Sequence, residues 1–285
     1  MKTSLPNSIS VIVVNWNVAD SLARCLASIR ATKYPNLEII VIDNASEIRP
    51  KFVSIQNATN IGLPRAWNQG LEQASGDYIL VLNPDTRLPK DFFTKAISYL
   101  ESHPDVGILS PKFLDPDGTP QGSVFPEPSV ISAIREYWLG QKGAFEKYVP
   151  QTTVPISVNS TTGACLFFSR QTLKKVGPFT EKVFMYFEDH DFCRRVRQAG
   201  LKIVFHPDIQ IIHEHGQSSR QTQAVHYRYL IETAIYPLRK LLNLPNTSPS
   251  SIRYLNESAI WYNGWLKQLI IALILRPFKK QIWSQ

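Results

Sequence analysis

Residues 78–89 read YILVLNPDTRLP, five apolar positions followed at once by Asn83, Pro84 and Asp85. An apolar run of that length, closed by a proline, reads as a strand buried on both faces rather than as a helix. The chain therefore sets a carboxylate, Asp85, at the mouth of its own core. The same arrangement occurs twice upstream. SVIVV (10–14) runs into Asn15, Trp16 and Asn17, and LEIIVID (37–43) ends on Asp43 and is followed by Asn44. FVSI (52–55) reads as a further short strand. Between the strands, DSLARCLASIR repeats Leu22, Cys25, Leu26 and Ile29 at helical spacing behind Asp20, which is placed to cap it. PRAWNQGLEQAS opens a helix with Pro64 in its first turn, where proline is tolerated. Buried strands alternating with helices imply βαβ units, an α/β fold and a mostly parallel sheet. In such sheets ligands bind beyond the carboxyl ends of the strands, so Asn15, Asp43, Asn83 and Asp85 are expected on one edge. Asn, Asp and Pro are also what turns contain; polar groups after three strands of one sheet are what favours a site.

Composition narrows the function class. In 285 residues, 44% hydrophobic and 19% charged residues are ordinary for a soluble globule with a sizeable core. The three cysteines, Cys25, Cys165 and Cys193, are far apart and odd in number, so neither a disulfide framework nor a CxxC metal site is expected, and reduced cytoplasm is the expected compartment. The N-terminus lacks the apolar stretch of a secretory signal. The net charge of +8 is concentrated at the far end: from His226 onward eight Lys/Arg face two acids, a net of +6. The remainder is nearly neutral, which argues against nucleic acid as a partner and for an anionic partner of the tail. A dinucleotide-binding dehydrogenase would need GxGxxG after the first strand, and VVNWNVAD has no glycine.

Seven segments, in order, carry a resemblance: SVIVVNWN, VIDNAS, NIGLPRAWNQGL, GDYILVLNPDT, TGACLFFSR, FMYFEDHDFCRRVRQAG and IIHEHGQSS. Together they resemble glycosyltransferase family 2, and within it the rhamnosyltransferase-like enzymes of bacterial polysaccharide assembly. The resemblance runs from about Ile9 to Ser219. It implies a GT-A (Rossmann-like) fold, a nucleotide-sugar donor, Mg²⁺ or Mn²⁺ as cofactor and inversion at the anomeric carbon. The implied organisation is a glycosyltransferase domain over 1–220, with a nucleotide-sugar-binding half (1–115) and an acceptor-binding half (116–220), then a helical tail over 221–285.

The family's metal motif is Asp-x-Asp, and this chain departs from it with Asn83-Pro84-Asp85. One carboxylate can suffice, because Mg²⁺ keeps several waters and binds through one or two carboxylates plus substrate phosphates. Asp85 is thus the expected metal ligand and Asn83 a neutral donor to the sugar or phosphate. By the resemblance, His213 completes the metal site; by itself, a histidine ending DIQIIH is more often a surface or hydrogen-bonded residue. The resemblance also places Asp43 against the imino N–H of uracil or thymine, and puts Gly62 and Asn68 on a loop and helix start under the nucleotide; Asn15, after the first strand, is counted with these nucleotide-sugar-binding residues. A lone glycine at Gly62 could equally serve a turn.

Transfer to a hydroxyl needs a base. Phe192, Cys193, Val196 and Ala199 repeat at helical spacing and Gly200 ends the helix, so Asp189 lies near its N-terminus, where aspartate is often a cap. The family places its base at the second residue of the Glu-Asp pair, which makes Asp189 the expected base and Glu188 and Asp191 acceptor-binding or supporting groups. Between Asp115 and Pro155 the pattern is irregular, with DPDGTP a turn and the segment after it suited to acceptor contacts or a lid. The tail joins Trp261, Trp265 and Trp283 to the apolar run Leu269–Leu275 and to basic residues, the makeup of an interfacial segment; a docked C-terminal helix has the same composition. The expected enzyme is a rhamnosyltransferase using dTDP-rhamnose and a lipid-linked glycan acceptor, peripheral at the inner face of the membrane. The alternatives are a UDP-hexose or UDP-N-acetylhexosamine transferase on the same fold, or a nucleotide-binding scaffold without catalysis.

Overall fold

The computed structural model describes residues 7–126, 135, 147–185 and 187–214. Its first half follows the alternation in the sequence: β1 (Ile9–Asn15), α1 (Ala19–Ala31), β2 (Leu37–Asp43), β3 (Ile55–Gln56), α2 (Leu63–Gln73) and β4 (Tyr78–Leu82). These strands lie parallel in the order β3-β2-β1-β4. Every residue of β1 is buried, because helices cover both faces of the sheet. On one face Val11, Val13 and Leu80 meet Leu22, Cys25 and Ile29 of α1, and Phe92, Phe93 and Ala96 of α3 (Phe92–Ser102). On the other, Ile12, Ile42 and Val81 meet Trp67 and Leu71 of α2 and Phe192 and Val196 further along the chain. Since β1 has β2 on one side and β4 on the other, the strand order reverses there, which opens a crevice at their carboxyl ends.

Two local expectations are corrected. Of FVSI only Ile55 is in a strand, paired with Ile42 of β2, and Phe52 is exposed. Asp20 does not cap α1; Val18 holds that position without a side-chain hydrogen bond, and Asp20 lies in the first turn, where its charge favours the helix dipole.

The second half extends the same sheet with both antiparallel and parallel pairings. After the two-residue β5 (Thr86–Arg87) and α3 come β6 (Val106–Leu114), β7 (Pro120–Gln121), β8 (Val124–Phe125), β9 (Ile156–Val158), β10 (Ser160–Thr161), β11 (Cys165–Ser169), α4 (Arg170–Val176), α5 (Glu188–Gln198) and β12 (Lys202–His213). β11 enters antiparallel beside β4, and the order continues β11-β6-β12-β5, while β8 and β10 pair with each other in a small separate sheet. The register of β12 against β6 shifts between His206 and Gln210; Pro207 lies there and has no N–H to give the ladder. β12 then recovers and runs to His213, whose partner in β5 is Thr86. That pairing sets His213 beside the segment that follows β4.

Candidate active site

The edge formed by β1 and β2 is organised around Asp43. Asn15 and Asp43 are register partners at the two strand ends. Asn15 Nδ2 donates to Asp43 Oδ1 at 2.8 Å, and Ser46 Oγ donates to the same oxygen at 2.6 Å. Asp43 Oδ2 accepts from the Ser46 backbone N–H at 3.2 Å and from Gln56 Nε2 at 2.6 Å. Burial alone would raise the Asp43 carboxyl, but these hydrogen bonds from Ser46, Asn15 and Gln56 offset it and hold the group below the usual carboxylate range. Its side chain is fully buried. The neighbouring loops are sewn together as well: the Asn17 N–H donates to Ser46 Oγ at 2.8 Å, and Asn17 Oδ1 accepts from the Glu47 N–H at 2.8 Å. Asn17 and Ala45 both have left-handed backbone, φ 57° and 65°, a conformation uncommon outside glycine and often met at functional sites.

Gly62 and Asn68 fasten α2 beneath this edge. Gly62 has φ +90°, and a Cβ on it would lie 2.6 Å from the Phe184 carbonyl oxygen. Only glycine fits there. Asn68 is buried and closes a two-way bond with Phe179, donating to its carbonyl and accepting from its N–H, both at 3.0 Å. Its side chain is engaged with the chain itself, so it shapes the floor of the crevice.

The edge formed by β4, β5 and β12 is different in kind. Asp85 and His213 are both buried, and His213 Nε2 lies 3.5 Å from Asp85 Oδ1. Among the described residues that oxygen is inaccessible and has no hydrogen-bond partner, a state that costs free energy unless something else satisfies the charge. On the opposite side of the ring, His213 Nδ1 is 2.6 Å from Gln121 Oε1. Glu214 secures the backbone: its N–H donates to the Asp85 carbonyl at 2.8 Å, and its carboxylate reaches Arg24 at 2.7 Å and Arg87 at 3.0 Å. Asn83 is half-buried and donates its N–H to the Ala164 carbonyl at 2.9 Å. A carboxylate oxygen and an imidazole nitrogen facing one another in a dry site form a donor pair that a divalent cation fits. Among the described residues no group of three or more His, Cys, Asp or Glu is gathered to hold a metal, so the remaining positions would fall to water or a diphosphate.

The third part of the site is the start of α5. Asp189 Oδ2 accepts the Gly163 N–H at 2.9 Å. A Cβ on Gly163 would lie 2.6 Å from the Trp67 ring, so glycine lets the buried indole, the amide and the carboxylate share the space. Phe187, the residue before the helix, has φ +71°, an outlier for so bulky a side chain. Glu188 is buried. Asp191 pairs with Arg194 and Arg195, each at 2.9 Å, and Arg195 in turn donates to the Pro178 carbonyl at 2.8 Å. Asp191 is therefore a supporting group that ties α5 to the preceding loop.

The dipeptide Gly163-Ala164 connects two of these parts. Its first amide holds Asp189, and its second carbonyl holds the N–H of Asn83. Asn83, two residues before Asp85, and Asp189 are thereby anchored to adjacent residues of one loop. Gly163, Ser46 and Glu214 lie in segments that carry the resemblance but have no assigned role there; Gln121 and Gln56 lie outside those segments. The cysteines are free and buried, and burial pushes the Cys25 and Cys193 thiols up to about 12, so they are packing groups. An open cavity of about 440 Å³ lies elsewhere, between α3 and the irregular stretch of β12, lined by Tyr99, Ser102, His206 and Asp208 among others. The expected lid after DPDGTP falls largely, and His215 and the tail fall wholly, outside the described residues.

Residues 10–177 match the family Glycosyl transferase family 2. The chain belongs to that family. Two relatives are rhamnosyltransferases by name. The N-acetylglucosaminyl-diphospho-decaprenol L-rhamnosyltransferase of Mycobacterium tuberculosis is 26% identical over 245 residues, covering 76% of this chain and 79% of its own. The dTDP-rhamnosyl transferase RfbF of Shigella flexneri is 23% identical over 224 residues, covering 75% and 71%. Among solved structures, GalNAc-T7 with UDP, GalNAc and Mn²⁺ shares the fold at a TM-score of 0.58 and 16% identity, covering 88% of this chain. The chain spans about half of that protein, 54% of its length. The mixed sheet with flanking helices is of GT-A type, and the protein is a glycosyltransferase.

Proposed function

We propose that this glycosyltransferase moves rhamnose from dTDP-rhamnose, with inversion, to a glycan acceptor carried on a lipid. The observation that carries the catalytic half of this reading is the Gly163-Ala164 bridge, which anchors Asp189 and the Asn83-Pro84-Asp85 segment, through the Asn83 N–H, to one loop. The two rhamnosyltransferase relatives support the donor, and the decaprenol in the name of one supports a lipid-linked acceptor.

In this reading Asp85 and His213 hold a divalent cation. Bound there, it would neutralise charge on the departing nucleoside diphosphate. Asp189 takes the proton of the acceptor hydroxyl, whose oxygen forms the new bond to the anomeric carbon while the bond to the diphosphate breaks and its electron pair leaves with the phosphate. The Gly163 amide orients the Asp189 carboxylate for that transfer. Asn83 offers neutral hydrogen bonds to sugar or phosphate, and Asn15, Asp43, Gly62 and Asn68 form the floor under the nucleotide. A donor panel tests this: hydrolysis of dTDP-rhamnose, UDP-glucose and UDP-N-acetylglucosamine, each with Mn²⁺ or EDTA. Mn²⁺-dependent turnover of dTDP-rhamnose is expected. Preference for a UDP-sugar overturns the donor, and turnover in EDTA overturns the metal.

The same proposal places the enzyme at the inner face of the membrane, through its basic, tryptophan-bearing tail. No helix among the described residues is long and apolar enough to cross a membrane. Each Lys or Arg near an anionic surface contributes about 1 kcal/mol. Removing residues 261–285 should release the protein from anionic vesicles and slow transfer to a lipid-linked acceptor far more than donor hydrolysis. Equal loss of both activities would make the segment part of the folded core.

A further inference from the structure

We propose that Gln121 is a positioning residue that sets the tautomer of His213 and so decides which imidazole nitrogen faces Asp85. The inference rests on the reading of Asp85 and His213 as the metal site and adds to it the residue that fixes its geometry. Gln121 Nε2 lies 2.7 Å from Asp115 Oδ1. A carboxylate only accepts, so the amide nitrogen must face it, and the amide oxygen is then the atom 2.6 Å from His213 Nδ1. A carbonyl oxygen also only accepts. The proton of the neutral ring therefore sits on Nδ1, and Nε2 presents a lone pair to Asp85 Oδ1, 3.5 Å away.

The surroundings hold this chain of contacts in place. Asp115 belongs to a closed turn: its N–H donates to the Thr119 carbonyl at 2.8 Å, and its carbonyl accepts from the Gly118 N–H at 2.9 Å. Gln121 is the cross-strand partner of Phe113, and the Phe113 ring meets the His213 imidazole edge-on with centroids 5.4 Å apart. Ring plane and ring tautomer are thus both fixed before any ligand arrives. The result is two acceptor atoms facing one another, with Asp85 Oδ1 sealed from water, an arrangement that favours a cation between them. Groups that hold a ligating histidine through its other nitrogen act in this way on metal sites generally.

The test uses the full chain and four variants: Gln121→Leu, the exchange Asp115→Asn with Gln121→Glu, Asp85→Asn, and His213→Gln for assignment. In the exchange, the new carboxylate accepts from His213 Nδ1 and the new amide donates to it, so donor and acceptor directions are kept. Two readouts are taken, Mn²⁺ affinity from the free-ion EPR signal and the ¹⁵N tautomer of His213, assigned with His213→Gln. Gln121→Leu should weaken Mn²⁺ binding about 10- to 100-fold and abolish the Nδ1–H preference, and the exchange should restore both. A wild-type His213 protonated on Nε2, or Gln121→Leu binding Mn²⁺ as wild type does, overturns the proposal. Wild-type Mn²⁺ binding that Asp85→Asn leaves intact would instead overturn the metal site, while the tautomer still decides the role of Gln121.

Discussion

Asp43 and Asp85 sit at strand ends on the carboxyl edge of one sheet, and both are buried, yet the chain treats them in opposite ways. The four hydrogen bonds on Asp43 come close to the number a carboxylate can accept. Around Asp85, one oxygen is sealed from water with no hydrogen-bond partner among the described residues, and an imidazole stands 3.5 Å away. A satisfied buried carboxylate organises its loops. An unsatisfied one destabilises the fold by itself until a hydrogen-bond donor or a positive charge satisfies it. Apolar strands thus deliver acids to the same edge for two purposes, and the count of donors around each tells them apart.

The sharpest way to break this comparison is Asp85→Asn. The variant removes a buried charge that the fold leaves partly unpaired, so the metal-free protein should melt at or above the wild-type temperature. It should lose the Mn²⁺-induced rise in melting temperature, which requires binding to the native state, and lose transfer by roughly 10²–10³-fold or more, the scale of a missing electrostatic stabiliser. Strong destabilisation without metal would mean that Asp85 is structural like Asp43.

Asp189→Asn comes next. It should keep donor and metal affinity while kcat falls by roughly 10²-fold or more, the scale of general-base catalysis. Initial rates beside donor affinity measure this. If Glu188→Gln has the larger effect, the base is the other member of the pair.

The comparison also marks what a sequence can disclose. SVIVV, LEIIVID and YILVL are legible because strands covered by helices on both faces must be apolar at every position, and that requirement is local. The polar residues that end them are legible for the same reason, and Asn15, Asp43, Asn83 and Asp85 lie at or just after the ends of β1, β2 and β4. FVSI is equally apolar, but a strand needs a neighbour, and only Ile55 has one. Whether a carboxylate is satisfied depends on who stands opposite. Gln121 meets His213 from 92 residues away, through a hairpin on β6 and a strand whose register shifts at Pro207; local pattern holds no trace of that meeting. Gly163 matters because of the Trp67 ring above it, and Asp191, which shares the pattern of its acidic neighbours, is a clamp for Arg194 and Arg195.

A third variant acts on stability. Asp43→Asn puts an amide donor where two oxygens accept, and should cost about 1.5–3 kcal/mol, the range for hydrogen bonds to a charged group. It should also change the acid limb. The folded Asp43 carboxyl lies below its usual range, whereas an aspartate in the unfolded chain titrates near about 3.9. Its stabilisation is complete above that unfolded value and is lost as pH falls through the folded one. Denaturant unfolding between pH 6 and pH 2 should therefore show a shallower acid-side decline in the variant. An unchanged slope would remove Asp43 from the groups that link folding to protons.

The smallest effect belongs to Gln56, and it bears most directly on how Asp43 serves a nucleotide. Of the three side chains that donate to Asp43, only Gln56 is itself exposed. It is the donor most easily exchanged, and it occupies an acceptor site of the kind an imino N–H of thymine or uracil would need. Gln56→Leu removes one solvent-accessible hydrogen bond, so stability should fall by only about 0.5–1 kcal/mol, a melting shift of roughly 2 °C for a domain of this size. If a base takes the place of Gln56 on Asp43 Oδ2, the variant presents that oxygen with the Gln56 bond already gone and only the Ser46 N–H left on it, and dTDP should bind several-fold more tightly than to wild type. Calorimetric titration of dTDP into both proteins decides the matter. Equal affinities would confine Asp43 to its loops, and the base would then have to be held by other groups on this edge.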